Sequence, residues 1–183
     1  LIEWKNNLFN FKNIVIENDD INTIVNGNYK YINFQNSIVD LEIKIPLAKL
    51  PNLKKYYPLQ LGDKTLNWLD TSLLKGQAKN TVIKLEGKIQ DFPFENINNE
   101  PNSTKGIFIV DSIISNSFIE YGKGWPELNN FDFKIKVENN NIIFESIKGD
   151  LLNNNIKKMI AQISPSNIKD PIMDIKLILE SPI

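Results

Sequence analysis

Phe131-Asp132-Phe133-Lys134-Ile135-Lys136-Val137-Glu138 is the stretch that decides the fold. Apolar and charged residues alternate along its whole length. Successive side chains of a strand point to opposite faces, so this period gives one apolar face and one polar face. Asn139-Asn140-Asn141 then reads as a tight turn, and Ile142 to Ile147 as the returning hairpin partner. The same period recurs outward from this hairpin. Upstream, Val39, Leu41, Ile43 and Ile45 alternate with Asp40, Glu42 and Lys44. Ile83, Leu85 and Ile89 alternate with Lys84, Glu86 and Lys88.

The remaining apolar runs are shorter. Phe9, Phe11, Ile14 and Ile16 belong to early strands, and Asn26-Gly27-Asn28 reads as a turn because both residue types tolerate positive φ. Tyr29 to Ile45 follows as one long strand or two. Lys105 to Val110 reads as a short strand apolar on both faces, and Ile113 to Tyr121 as another. Leu151 to Ile163 and Ile172 to Leu179 complete the series. Only Pro46 to Gly76 departs from period two. Leu47 to Tyr57 reads as a short helix ending before Pro58. Asp63 suits an N-cap, Leu66, Leu69 and Leu73 share one helical face, and Gly76 suits the C′ position. The expected fold is mainly β: a strongly curved, trough-like antiparallel sheet with one or two short α-helices packed on it. Residues 1–46 are its N-terminal strands, 47–76 a short helical segment, and 77–183 an antiparallel meander of the same domain.

Composition narrows the chemistry. The chain has 183 residues, with 42% hydrophobic and 23% charged, which is globular usage. It begins at Leu1, so it reads as a segment of a longer protein or a processed chain. No apolar run approaches the ~20 residues of a spanning helix. Net charge is −1, and every basic residue is Lys, so nucleic acid is not an expected partner. Abundant Ile, Asn and Lys read as the mark of an AT-rich genome. Cys and His are both 0. Thiol and imidazole nucleophiles, bases and metal ligands are therefore absent, and Ser–His–Asp and Cys–His catalysis with them. Zero Cys leaves the redox compartment open. No cofactor, metal or catalytic role is expected.

The few polar clusters have plain readings. Asn18-Asp19-Asp20 lacks the Gly that a calcium loop needs at its sixth position, where counting from Asp20 gives Val25. Asp91, Glu95 and Glu100 fall in an Asn-rich loop that reads as solvated. A glycan hydrolase working through paired carboxylates would need two of them across one cleft. Asn102-Ser103-Thr104 matches a glycosylation acceptor, a frequent chance match in so Asn-rich a chain. Phe92-Pro93-Phe94 and Gly124-Trp125-Pro126 are aromatic–proline clusters, read as structural plugs at a sheet end rather than stacking sites. A strand apolar on both faces needs either a covering helix or something greasy along it.

Five motifs succeed one another in a recognisable order. Leu53-Lys54-Lys55-Tyr56-Tyr57-Pro58 leads to Asn67-Trp68-Leu69-Asp70, then Leu74-Lys75-Gly76-Gln77-Ala78. Leu85-Glu86-Gly87-Lys88-Ile89-Gln90-Asp91-Phe92-Pro93-Phe94 follows, and Ile119 to Leu128 closes the series through Tyr121 and Gly124-Trp125-Pro126. From about Asp40 to Ile183 this resembles the central domain of the YhdP family, AsmA-like envelope proteins of Gram-negative bacteria. Lys75 and Lys123 stand where that family often has Gly and Pro. Leu1 to Val39 carries no matching motif.

The resemblance implies a periplasmic segment of a chain anchored in the inner membrane. Such a segment would bind or conduct phospholipid toward the outer membrane and support its barrier. The alternative is an envelope scaffold or protein-interaction module without a lipid groove. Acyl chains are the implied partner, and no catalytic residue carries over. Burying a methylene is worth about 0.8 kcal/mol, so a sixteen-carbon chain would gain on the order of 10 kcal/mol gross on an apolar trough. The groove candidates are Ile83, Leu85, Phe133, Ile135, Ile142 and Phe144.

Overall fold

The computed structural model describes residues 1–33, 35–56, 70, 73–92, 94, 105–120, 124–163 and 173–180. These build ten strands: β1 (Ile2–Lys5), β2 (Leu8–Glu17), β3 (Ile21–Lys30), β4 (Ile38–Lys49), β5 (Leu73–Lys88), β6 (Gly106–Ile119), β7 (Leu128–Glu138), β8 (Asn141–Leu151), β9 (Asn154–Ile163) and β10 (Met173–Glu180). They form one sheet in sequence order, β1 through β10, and every neighbouring pair is antiparallel. The meander is mainly β and not closed into a barrel. Two-residue links make the tightest turns. Asn6-Asn7 and Leu152-Asn153 both hold two consecutive positive φ angles, the twist that suits a right-handed hairpin.

Several expectations are corrected. Asn26-Gly27-Asn28 is not a turn but the middle of β3. Gly27 has φ +128, and a Cβ there would lie 2.0 Å from the Asp40 carbonyl oxygen, so close approach to β4 requires glycine. The turn lies instead at Asn33, whose Oδ1 accepts the amides of Gln35 and Asn36. The two strands expected between Lys105 and Tyr121 are one continuous strand, β6. Leu151 ends β8, and β9 begins at Asn154.

The helical segment also differs. Strand β4 continues through Pro46 to Lys49, and Leu50–Tyr56 is a 3-10 turn. Leu73, Lys75 and Gly76 lie in β5, so Gly76 is a strand glycine and not a helix C-cap. Its φ of +122 and a built Cβ 3.0 Å from the Ser115 carbonyl oxygen explain the residue type. The N-cap expected at Asp63 and the face of Leu66 and Leu69 lie outside the described residues.

Bulges interrupt the strands. The register slips between Phe11 and Ile14, Lys79 and Val82, Ile114 and Ser117, and Asn129 and Asp132. Asn13, Asn80, Asn116 and Asn130 sit in these gaps with φ of 49 to 52. A bulge adds one residue to one strand, and the left-handed conformation it needs suits Asn better than most. Each extra residue resets the alternation. Leu128 and Phe131 are thereby both buried, although three residues apart.

Candidate functional site

Strand register assembles one unbroken apolar row. Ile14 pairs with Val25, Val25 with Ile43, Ile43 with Ile83, and Ile83 with Val110. Val110 continues to Val137, then Ile142, Ile163 and Met173. The row crosses β2 to β10 without a polar residue, and all nine side chains are half-buried. At about 4.8 Å between strands its length is roughly 38 Å. Cross-strand partners share a face, so the row is a stripe on one side of the sheet.

The neighbouring rows on that face are mostly apolar. Leu41, Leu85 and Phe108 pair on one side. On the other, Ile135 pairs with Phe144, Phe144 with Ala161, and Ala161 with Ile175. Thr81 and Ser112 interrupt that second row, and their hydroxyls satisfy one another at 2.6 Å. A buried hydroxyl pair of this kind leaves no orphan polar atom in an apolar surface.

The stripe is bounded at both strand ends. At one end Phe94 is 0% exposed, above the paired Gly87 and Gly106. A Cβ on either glycine would lie 2.7 or 2.6 Å from the Phe94 ring. Phe92 packs edge-on against Phe108 with centroids 5.0 Å apart. At the other end the 3-10 turn places Leu50 and Leu53 against Ala78, Ile114 and Ile45. The turn is tied down from β3's leading loop. Asp20 Oδ2 accepts Lys55 Nζ at 2.6 Å, and Oδ1 accepts Asn52 Nδ2 at 2.7 Å. This ion pair holds the Lys55 ammonium above its usual pKa. The opposite face is mixed: Glu42 pairs with Lys84, Lys44–Glu42 and Lys136–Glu138 form ion pairs along their strands, and Ile109 and Ile143 stand among them.

Each expected residue can now be located. Ile83 and Ile142 lie in the row, Leu85, Ile135 and Phe144 in its neighbours, and Phe133 one row further. All six share one face, but they differ in exposure. Ile83, Leu85, Ile135 and Ile142 are half-buried. Phe133 is 1% exposed, stacked on Phe131 at 5.0 Å and tilted against Phe144 at 5.8 Å. Phe133 and Phe144 thus belong to a closed cluster with Phe131, Leu151, Ile156 and Met159. Ile14, Val25, Ile43, Val110, Val137, Ile163 and Met173 were not among the groove candidates; only their cross-strand register unites them.

The aromatic–proline clusters divide. Phe92 and Phe94 pack edge-on against each other at a strand end, whereas Pro93 lies outside the described residues. Trp125 is not a plug: it is 64% exposed, and Gly124 beside it has open space around its α-carbon. Pro126 is half-buried. Asn18 caps the β2–β3 turn by accepting the amides of Asp20 and Ile21. Asp91 pairs with Lys105 at 3.5 Å, while Glu95, Glu100 and Asn102 lie outside the described residues. Among the described residues no group of three acidic side chains is placed to hold a metal, and no helix is long and apolar enough to cross a membrane.

A family model described as YhdP protein matches residues 2–183. The match includes the first strands, where the sequence alone offered no motif. No curated protein and no solved structure matches the chain. The chain belongs to the YhdP family.

Proposed function

We propose that this member of the YhdP family is a section of an AsmA-like envelope protein that holds phospholipid acyl chains along its apolar face. The carrying observation is the half-buried row from Ile14 to Met173, apolar at every strand it crosses. A bilayer leaflet is about 15 Å of hydrocarbon, half of a ~30 Å core, so the row exceeds the depth one acyl chain occupies. The stripe has side walls at both strand ends and none across its direction among the described residues. Along the row itself every described side chain is apolar, as repeated weak contacts with an acyl chain require. Bulges bend a strand and increase its twist, and their recurrence in β2, β5, β6 and β7 supports a curved, trough-like sheet. In this reading the segment is periplasmic, belongs to a chain anchored in the inner membrane, serves outer-membrane integrity and catalyses nothing. That last point rests on the absence of His and Cys.

The test is native mass spectrometry of the purified protein, with lipid extraction from the same sample. Phospholipid should co-purify and be lost in Ile142→Asp, whose circular dichroism should stay that of the wild type. Ile142 is the better site than Phe133, because an Asp in the closed aromatic cluster would unfold the protein. A folded, lipid-free protein that refuses added phospholipid would transfer the assignment to a scaffold. The fully buried cluster around Phe131 and Phe133, filled by the protein's own side chains, is the observation that favours that second reading.

A further inference from the structure

We propose that the depression beneath the 3-10 turn Leu50–Tyr56 binds a phosphate-type anion. It has a volume of about 370 Å³ and lies where β4, β5 and β6 meet that turn. Its polar lining is Lys49, Lys75, Asn52, Gln77 and Asn116, with no carboxylate among them. The carboxylates that hydrogen-bond to its lining residues are themselves matched. Asp20 accepts Asn52 and Lys55, and Asp132 accepts the Asn116 amide and pairs with Lys148 at 3.4 Å. Lys49 and Lys75 make no ion pair among the described residues, and Lys75 rests only on the Phe118 ring at 5.9 Å. The depression therefore carries two lysines without an ion pair among the described residues, and carboxamide donors, a set that favours a compact anion with several acceptor oxygens.

Position gives the site a meaning. Gly76 lines the depression, and a Cβ on it would lie 3.1 Å from Leu50 Cδ1. Leu50 belongs to the buried apolar cluster, so the anion site borders the margin of the apolar face. A phosphodiester head group with its chains on that face would reach it, and so would free phosphate. The anion chemistry stands by itself; only the head-group source rests on the lipid reading.

The experiment titrates inorganic phosphate, and separately a short-chain phosphatidylglycerol kept below its micelle concentration, into isotope-labelled protein at constant ionic strength. Side-chain amide signals of Gln77 and Asn116 should shift and saturate. The Lys49→Gln/Lys75→Gln double variant should weaken binding by roughly tenfold or more at unchanged melting temperature, since both lysines are exposed. Saturation by phosphate alone identifies a free-anion site, and saturation by the lipid alone a head-group site; either supports the assignment. Failure of both to saturate, or equal binding by the double variant, overturns it. Acyl-chain uptake by that variant, read by mass spectrometry, separates this outcome from failure of the apolar row.

Discussion

Asn80 shows how much a single residue type accomplishes in this sheet. It sits at φ 52 inside β5, at a register slip, with its side chain exposed. Eight of the ten described non-glycine residues at positive φ are Asn. L-residues with larger or branched side chains strain there, and Asn and Gly do not. Asn80→Ala should therefore destabilise the protein by about 1 kcal/mol, while Asn80→Gly should stay within about 0.5 kcal/mol of wild type. Leu152 tests the rule in reverse. It occupies φ 51 in the β8–β9 hairpin and is 68% exposed, so its side chain gains little from burial. Leu152→Asn should stabilise by roughly 0.5–1 kcal/mol, read by denaturant unfolding with unchanged m. Asn abundance was legible only as composition. Its structural use became visible with the bulges, because no local pattern marks where a strand must gain a residue.

At the scale of elements, the 3-10 turn is the piece whose hold on the sheet is most local. Asp20 joins it to the β2–β3 turn through Lys55 and Asn52, and Asn18 reaches the Tyr56 hydroxyl at 3.0 Å. Asp20→Ala should cost about 1–2 kcal/mol and speed amide exchange at Leu50 and Leu53 before the rest of the sheet. The pH dependence has a definite sign. Lys55 is held above its ordinary value of 10.5 by the Asp20 carboxylate. Its contribution is complete below that ordinary value and disappears as pH rises through the folded one. The melting-temperature gap between wild type and Asp20→Asn should thus stay full below pH 10.5 and narrow as the pH rises above it, and salt should shrink it. The strands themselves were readable wherever alternation persisted, as in β7 and the first part of β4. It failed at Gly27 and Gly76, where glycine answers a close backbone approach rather than a turn or a cap. A residue needed for space across the sheet looks, in one dimension, like a residue needed for a bend.

The whole molecule presents a distinction that neither residue nor strand carries alone. Ile142 and Ile143 are adjacent and chemically identical, yet register puts Ile142 in the apolar row with Val137 and Ile163, and Ile143 opposite Lys136 and Gln162. Ile83 and Lys84, and Val110 and Ile109, divide the same way. The sequence could propose Ile83 because its strand alternates and Ile142 because it returns as the hairpin partner of an alternating strand, but it could not connect them through Val110 and Val137, since that connection is purely cross-strand. If acyl chains lie along the row, a photoreactive phenylalanine analogue should label phospholipid from positions 43, 83, 110 and 142 and not from 42, 84, 109 and 143. Labelling should persist at 25, 163 and 173, because a chain sliding along the stripe visits every strand it crosses. Labelling confined to one or two neighbouring strands would mean a fixed pocket instead of a path. Equal labelling from both faces would mean that hydrophobicity alone, and not the register of the sheet, attracts the lipid.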